Sequence, residues 1–578
     1  MEYRFLTAGE RCVTVSFGNE VSIEMNTRVR MLRNELEKNP IEGVVETVPT
    51  YCALSVHYLP NIIRRCELEK RLEQSITDMK PVSDSENRVK EVPVLYGGET
   101  GPDLEYCARL ENISTDELIR RHTEHEYYVY QLGFSPGHPY MARKEEPFSF
   151  RRRETPRVNI PAHSVVAQTN LTNITPFHQP SGWNILGSTP LNITDYSRKN
   201  PFFFKAGDRV KLKSIDKAEY DRIKMSQEKE SSDETEIHRD PSVRGGFTID
   251  RAGALTTIQD EGRFGYQAGG VSPAGPMDPR SFHIANILAG NRMGAPALEI
   301  TFIGPAIRFN EDSLIVVTGA DLTPKINGAV IPMYKPVTVS SGDVLSFGAR
   351  QNGLRAYVAF AGGIDEKMIM GSCATDIKNS LGGYEGRALK QGDVIRIGRR
   401  EHYDVIGTDG CENASVPEWN EEICRAHFDA VTQEIFDDKD ITVRVVLGPQ
   451  DDRFTKAGIR RFLNHSAIVT DKSDRQGIRL ECEPLEFMTD CNIISDGISL
   501  GAVQVAGDGK PIILLADRQS VGGYAKIANV IYTDLPKLAQ AVPGCRVRFV
   551  EVSVELAEEL YIREIGALKK LEEIYVQN

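Results

Sequence analysis

Apolar and polar positions change their period several times along this chain, and each change marks a different kind of element. Residues 13–17 alternate like a strand, 26–39 carry apolar residues at helical spacing, 44–48 and 52–57 alternate again, and 62–79 return to a charged helical pattern. Helices on one face of a small antiparallel sheet suit that order, a ferredoxin-like α+β unit over 1–85. From Val89 the pattern becomes short apolar runs broken by Gly and Pro, which predicts an all-β barrel or sandwich over 86–216. One helix is expected inside it, opened by the capping box Ser114-Thr-Asp-Glu117 and continued over 118–125. Residues 217–243, rich in Lys, Glu, Ser and Asp, read as a solvated linker. A second β-rich unit follows over 244–400 with a helix at 279–288, then an acidic connector over 401–440. A last β unit with a terminal amphipathic helix at 555–573 fills 441–578. The fold class is mainly β with an α+β N-terminus.

The densest polar pattern on an apolar frame lies at 497–531. Runs at 503–505 and 511–515 flank Gly507-Asp508-Gly509, a hairpin signal because Asp-Gly accepts the positive φ of a tight turn. Asp517 and Arg518 follow at a strand end, then Gly522-Gly523-Tyr524 and Lys526, with Gln504 on the facing run. Paired glycines bring main-chain N–H groups within reach of a ligand. Another short pattern recurs: Ala206-Gly-Asp-Arg-Val-Lys-Leu, Ser341-Gly-Asp-Val-Leu-Ser-Phe, Gln391-Gly-Asp-Val-Ile-Arg-Ile and Pro543-Gly-Cys-Arg-Val-Arg-Phe. A turn entering a strand in this way is a mark of related β units.

Composition narrows the function. A chain of 578 residues exceeds one core, and 40% apolar with 26% charged residues is ordinary for a soluble protein. The net charge of −13 and the lack of large basic patches argue against a nucleic-acid partner. The N-terminus has no secretory pattern and no run is long and apolar enough to span a membrane, so a cytoplasmic location is expected. Ten cysteines without a CxxC pair, and no metal-spaced His pair, suit free thiols and no metal site. There is no Walker A: Gly509-Lys510 is followed by Pro.

Other constellations sit on rigid loops. Gly133-Phe-Ser-Pro-Gly-His-Pro-Tyr140 offers His138 and Tyr140; Asp260, Arg263 and Asp278 lie around 257–278 and suit either a ligand or an internal ion pair. Gly382-Gly-Tyr-Glu-Gly-Arg387 repeats the Gly-Gly-Tyr theme and adds Arg387, whose fork suits carboxylate or phosphate. Asn286 and Glu299 sit among apolar neighbours and read as structural.

Taken together these motifs resemble a known family. Pro93-Val-Leu-Tyr-Gly-Gly-Glu-Thr-Gly-Pro-Asp103, His122, the 133–140 loop, Gly182-Trp183 and Gly207-Asp208 are similar to the KipI-type half, the 5-oxoprolinase B subunit. Gln259-Asp-Glu-Gly-Arg263, Gly275-Pro-Met-Asp278, Ala285-Asn286, Leu298-Glu299, Gly382 to Arg387, Ser473-Asp-Arg475 and the 501–531 hairpin resemble the KipA-type half, the C subunit. The resemblance covers nearly the whole chain in order, as in a B–C fusion. It implies a ferredoxin-like domain followed by cyclophilin-like barrels. Departures fall mainly in the first half: Thr169-Asn-Leu-Thr-Asn-Ile-Thr-Pro176 replaces a Gly-Gly-Gln-Thr-Gly-Ile-Tyr-Pro run, His138 stands where Phe is usual, and Ser181 where Gly is usual. In the second half Cys373 replaces an Arg and Asp496 a Glu.

The resemblance implies ATP-dependent opening of 5-oxoproline to glutamate, with a separate A-type (LamB/YcsF-like) component as partner and ATP, with Mg, as co-substrate. A carboxyltransferase step of a biotin-dependent urea carboxylase is the alternative, the one case that involves biotin. A KipI-like histidine-kinase regulator is a further one. No membrane partner is expected, and a homo-oligomer is left open. On this reading Asp260, Arg387, Asp517 and Lys526 are the catalytic candidates. His138, Tyr140, Arg263, Asp278, Gln504, Arg518, Gly522, Gly523 and Tyr524 are the substrate-binding candidates, in a cleft between the halves.

Overall fold

The computed structural model describes residues 2–80, 89–143, 147–232, 245–399 and 439–576. The first unit pairs β1 (Arg4–Thr7), β2 (Cys12–Ser16), β3 (Val44–Pro49) and β4 (Ala53–Tyr58) in the order β1-β2-β4-β3, antiparallel throughout. The helices α1 (Ile23–Lys38) and α2 (Arg65–Asp78) cover one face of this sheet. The alternation divides the sheet cleanly: Val13, Val15, Leu54 and Val56 join Leu32, Leu68 and Leu72 of the helices in one core. The opposite face carries Cys12, Thr14, Ser16, Ser55 and His57, with Thr14 and Ser55 hydrogen-bonded at 3.0 Å. That polar face is covered as well, and what covers it positions the site.

Strands Val89–Tyr96, Glu126–Leu132, Pro139–Ala142, Ser164–Gln168, Leu171–Ile174, Asn184–Ser188 and Arg209–Ser214 close a barrel. Ser114 caps its helix as read, accepting from Glu117 N at 3.2 Å. The expected linker begins instead as a helix, Lys217–Ser232. Alternating acids and bases, with pairs such as Lys217–Asp221, support this helix, which a composition reading scores as solvated chain. The rest of the linker and the connector at 401–440, apart from its last two residues, lie outside the described residues.

In 245–399 the strands form two sheets, of six and five strands, where the resemblance implies a cyclophilin-like barrel. The last unit closes a second barrel from Asp440–Leu447, Ala467–Val469, Gly477–Glu481, Ala502–Val505, Pro511–Leu514, Lys526–Val530 and Arg546–Glu551. Both rings close by a parallel pairing of their last strand with their first, Arg209↔Val89 and Arg546↔Asp440. The recurring turn is one structure: Gly207, Gly342, Gly392 and Gly544 have φ of 93°, 94°, 91° and 94°. In each the next N–H bonds back three residues, at 3.0–3.2 Å for Asp208, Asp343, Asp393 and Cys545. Only glycine reaches that φ without strain.

The units share packing. The helix Pro279–Leu288, fully buried, joins the last barrel and the terminal helix Val554–Val576 in one core. Glu558 of that helix, 3% exposed, accepts from Tyr58 Oη (3.0 Å), Arg65 N (2.8 Å) and Arg64 Nη1 (3.4 Å) of the first unit.

Truncating this clamp leaves a buried hydroxyl and a helix N–H without an acceptor. We therefore expect Glu558→Ala to lower the free energy of unfolding by about 2–4 kcal/mol. The exposed neighbour Glu559→Ala should cost under about 0.5 kcal/mol. Urea unfolding of the two variants side by side checks the difference.

Candidate functional site

The polar face of the first sheet is covered by the last barrel and by the 261–279 loop of the middle unit. Where the three meet they leave a cavity of about 100 Å³. Glu10, Arg11, Cys12, Glu46 and His57 come from the first unit, Glu261, Phe264, Gln267 and three prolines from the loop, and Ser499, Arg518, Asn529 and Tyr532 from the last barrel. The approach is close: a Cβ on Gly9 would lie 2.5 Å from Asn529 Nδ2. Pro273, Pro276 and Pro279 stiffen one wall.

Gln267 ties the three units together. Its backbone N and side-chain Nε2 donate to Glu46 at 3.0 and 2.7 Å, and its Oε1 accepts from Arg518 Nη2 at 3.1 Å. Arg518 spends its other nitrogens on the carbonyls of Ile498 (3.2 Å) and Leu515 (3.4 Å). Burial pulls its guanidinium down to about 10, which leaves it cationic at neutral pH. Burial also raises the carboxyls of Glu10 and Glu46 above the usual range.

The acids of the cavity already have partners. Glu10 accepts from Tyr532 N (2.7 Å), Glu46 from Gln267, and Glu261 from His283 Nε2 (2.6 Å). The nitrogens without partners are Arg11 Nε and His57 Nε2, both buried. Arg11 lies over the Tyr532 and Tyr561 rings, 4.6 and 5.2 Å from their centroids. Burial, with Arg518 and Arg11 adding to it, holds the His57 imidazole down at about 3, so it is neutral. A small site with cations and spare nitrogens suits an acceptor-rich ligand such as a carboxylate or an amide.

Asp517 and Arg518 part company at their turn. Arg518 faces the cavity, while Asp517 takes Arg475 Nε and Nη2 at 3.0 and 2.9 Å. Arg475 also pairs with Glu299, which accepts from Tyr357 Oη (2.7 Å) and Met277 N (2.8 Å). Burial above all, opposed by Arg475 and reinforced by Asp376 and Glu299, pushes Asp517 up to about 6.

Of the residues singled out by sequence, Arg518 alone lines the cavity, and most of the others have internal partners. Asp260 is closed by Ser372 Oγ (2.6 Å), Cys373 N (2.6 Å) and Gly262 N (3.0 Å), and so holds a loop. Arg263 is fully buried and donates to the carbonyls of Ile369, Ser372 and Ala374. Asp278 caps its helix through Ser281 and accepts from Gln540 Nε2 at 2.8 Å. Arg387 is bidentate to Asp393 in its own turn, at 2.7 and 2.9 Å. Lys526, 1% exposed, meets Asp496 Oδ2 at 3.3 Å in the seam below the first sheet. Gln504 reaches Tyr524 O at 3.4 Å; Gly522 and Gly523 lie in a strand paired with Asn492–Gly497, and Tyr524 is 40% exposed.

His138 and Tyr140 belong to the first barrel. His138 Nδ1 accepts from Gln179 Nε2 (3.1 Å), and its Nε2 donates to the Asn173 side-chain oxygen (3.0 Å). Two departures from the family pattern, one in the 133–140 loop and one in the 169–176 run, thus meet as a satisfied pair, and burial holds this imidazole at about 3. Tyr140 packs with Tyr51, Tyr128 and Tyr130, and burial pushes its phenol up to about 12. Gly133-Phe-Ser-Pro-Gly137 also has the Gly-x-Ser-x-Gly spacing of a nucleophile elbow, but Ser135 is 3% exposed and donates to Gln179 Oε1 (2.8 Å). Sequence reasoning missed Glu10, Arg11, Glu46, His57 and Gln267. The available signal was the polar period of Cys12, Thr14, Ser16 and His57 opposite the apolar face of the sheet.

Comparison with known proteins agrees with this architecture. The model for carboxyltransferase domain, subdomain C and D, matches residues 3–204, and that for subdomain A and B matches 269–551. The chain is 35% identical over 309 residues to the 5-oxoprolinase C subunit of Escherichia coli, covering 54% of this chain and 92% of that protein. It is 33% identical over 234 residues to the 5-oxoprolinase B subunit of Bacillus subtilis, covering 39% and 98%. Urea amidolyase of Lachancea kluyveri is 34% identical over 57% of this chain, which spans 18% of that longer protein. The crystal structure of TTHA0988 superposes with a TM-score of 0.75 at 29% identity, over 93% of this chain and 99% of that one. Among the described residues no helix is long and apolar enough to cross a membrane, and no group of three or more His, Cys, Asp or Glu is placed to hold a metal ion. The chain belongs to the family of the 5-oxoprolinase B and C subunits, with both types fused in one polypeptide.

Proposed function

We propose that this chain is the fused B/C component of an ATP-dependent 5-oxoprolinase, acting with a separate A-type partner, and that the cavity at the three-unit junction holds 5-oxoproline. The observation that carries the reading is the mismatch inside the cavity. Its carboxylates are already partnered, while Arg11 Nε and His57 Nε2 are not. A five-membered lactam with one carboxylate presents the complementary acceptors. Arg518 and Arg11 supply the charge that binds the carboxylate, and neutral His57 holds the lactam amide by a hydrogen bond. Phe264, 42% exposed, and the proline wall lie against the ring. ATP, with Mg, would supply the phosphoryl group that activates the amide oxygen. The cavity is too small to enclose a triphosphate as well, so we assign the nucleotide to the assembled complex. One water adds to the activated carbon, the ring nitrogen leaves as an amine to give an acyl phosphate, and a second water hydrolyses that acyl phosphate, so the products are glutamate, ADP and phosphate.

A second reading, carboxyl transfer from a biotinylated carrier, is favoured by the names of the matching family models and by the urea amidolyase relatives.

The test is ATP hydrolysis dependent on 5-oxoproline, with the chain alone and with an A-type partner. We expect glutamate only in the mixture. Arg518→Gln should lower kcat/KM about 10- to 100-fold, the worth of one charge-assisted hydrogen bond. Arg387→Ala should change it less than about twofold, because that side chain is held in its own turn. No turnover with any A-type partner, together with carboxylation supported by a biotinylated carrier, would replace this reading with the second.

The pH dependence has a definite sign. The folded His57 value of about 3 lies below the unfolded one. The contribution of His57 to stability is therefore complete above about pH 6.5 and is lost below it, as the unfolded chain takes the proton first. In histidine-labelled protein we expect the His57 imidazole resonance to stay flat from about pH 8 to 5; a midpoint near 6.5 would contradict the assignment.

A further inference from the structure

Arg263 belongs to the same loop but does not line the cavity. Its Nε and Nη2 are consumed by carbonyls, and its Nη1 is buried with no partner. The Tyr196 hydroxyl, from the first barrel unit, is likewise buried without a partner. Arg263, Tyr196 and Asp376 are close enough to act on one another's ionisation, so the two spare donors share one neighbourhood. Lys378 brings a third donor: its ammonium lies 4.9 Å from the Phe134 ring centroid, in the field of Asp376, Asp474 and Asp517 but in no ion pair among the described residues.

The acids around this spot are already partnered. Asp376 accepts from Asn379 N (3.2 Å) and Nδ2 (2.6 Å), and Asp474 from Gln476 N (2.8 Å) and Gly477 N (3.1 Å). Asp260 is closed by Ser372 and Cys373, and Asp517 by Arg475. What remains open is a set of donors. Two strained residues border it, Phe134 (φ 68°) and Ser380 (φ 50°), and such outliers gather at functional loops.

We infer that Arg263 Nη1, the Tyr196 hydroxyl and the Lys378 ammonium form an anion subsite for a tetrahedral oxyanion, inorganic phosphate or the terminal phosphate of a nucleotide. The geometry favours this class over a carboxylate. Only one Arg263 nitrogen is free, so the planar two-point fork is unavailable. Three single donors from separate elements instead suit an anion whose oxygens diverge. Burial raises the Asp376 carboxyl toward its neutral form, which reduces repulsion of a bound anion. The subsite deepens the proposed function, because such an anion is a product of that reaction. Its binding is nevertheless measurable on the chain alone, without turnover or a partner.

The experiment is equilibrium dialysis of the full chain with radiolabelled inorganic phosphate, with sulfate, acetate or ATP as competitors. We expect one saturable site, weakened about tenfold by Tyr196→Phe and by Lys378→Ala and unchanged by Arg518→Gln. Both variants remove surface or terminal groups and should fold; Arg263 is left in place because it anchors a buried loop. Sulfate should compete and acetate should not. Competition by ATP would assign the site to a nucleotide phosphate, and its absence to free phosphate. Lack of saturable binding, equal displacement by acetate, or binding untouched by both variants would overturn the inference. Loss of turnover with phosphate binding intact would count against the proposed function alone.

Discussion

The side chain of Gln267 is the contact on which the assembled molecule depends. It joins Glu46 of the first sheet to Arg518 of the last barrel, with donors at one end and an acceptor at the other. An amide can serve both partners because it carries both functions, where a charged side chain would repel one of them. Without it Glu46 would be a buried carboxylate with no side-chain donor, a costly state. The cavity follows from this arrangement, since the same three units that meet through Gln267 form its walls.

The dipeptide Asp517-Arg518 shows how one turn can serve two neighbourhoods. Arg518 lies toward the first sheet and Asp517 toward the Arg475–Glu299–Tyr357 network of the middle unit. The network is buried and its members satisfy one another, so it fixes the relative placement of the middle unit and the last barrel. Glu558 and the Arg280–Glu564 pair, 2.7 Å apart, bind the terminal helix into the same assembly. The Gln267–Glu46 and Glu558–Tyr58 links, 221 and 500 positions apart, tie the two subunit-type halves together.

Much of the fold was legible. The alternation read over 13–17 and 52–57, found as strands at Cys12–Ser16 and Ala53–Tyr58, the Ser114 cap, the helix at 279–288 and the recurring glycine turn all rest on local physics, and local physics is written in adjacent residues. The site was much less legible. Asp260, Arg263 and Arg387 look like ligand-binding groups in sequence because an isolated charge reads the same whether its partner is a substrate or a backbone carbonyl. The structure supplies the partners, and for Asp260 and Arg387 they are internal. Glu46 and Gln267 lie 221 positions apart, and nothing local marks either one. His57 reads in sequence as an ordinary strand residue; its meaning comes from the second, polar face of a sheet that is covered on both sides.

The most direct measurement is a calorimetric titration of 5-oxoproline into the intact chain and into its Arg518→Gln variant. One site per chain is predicted in the parent, and its loss in the variant. Binding of equal strength in both, or no binding to the parent, would contradict the assignment of this cavity to the lactam.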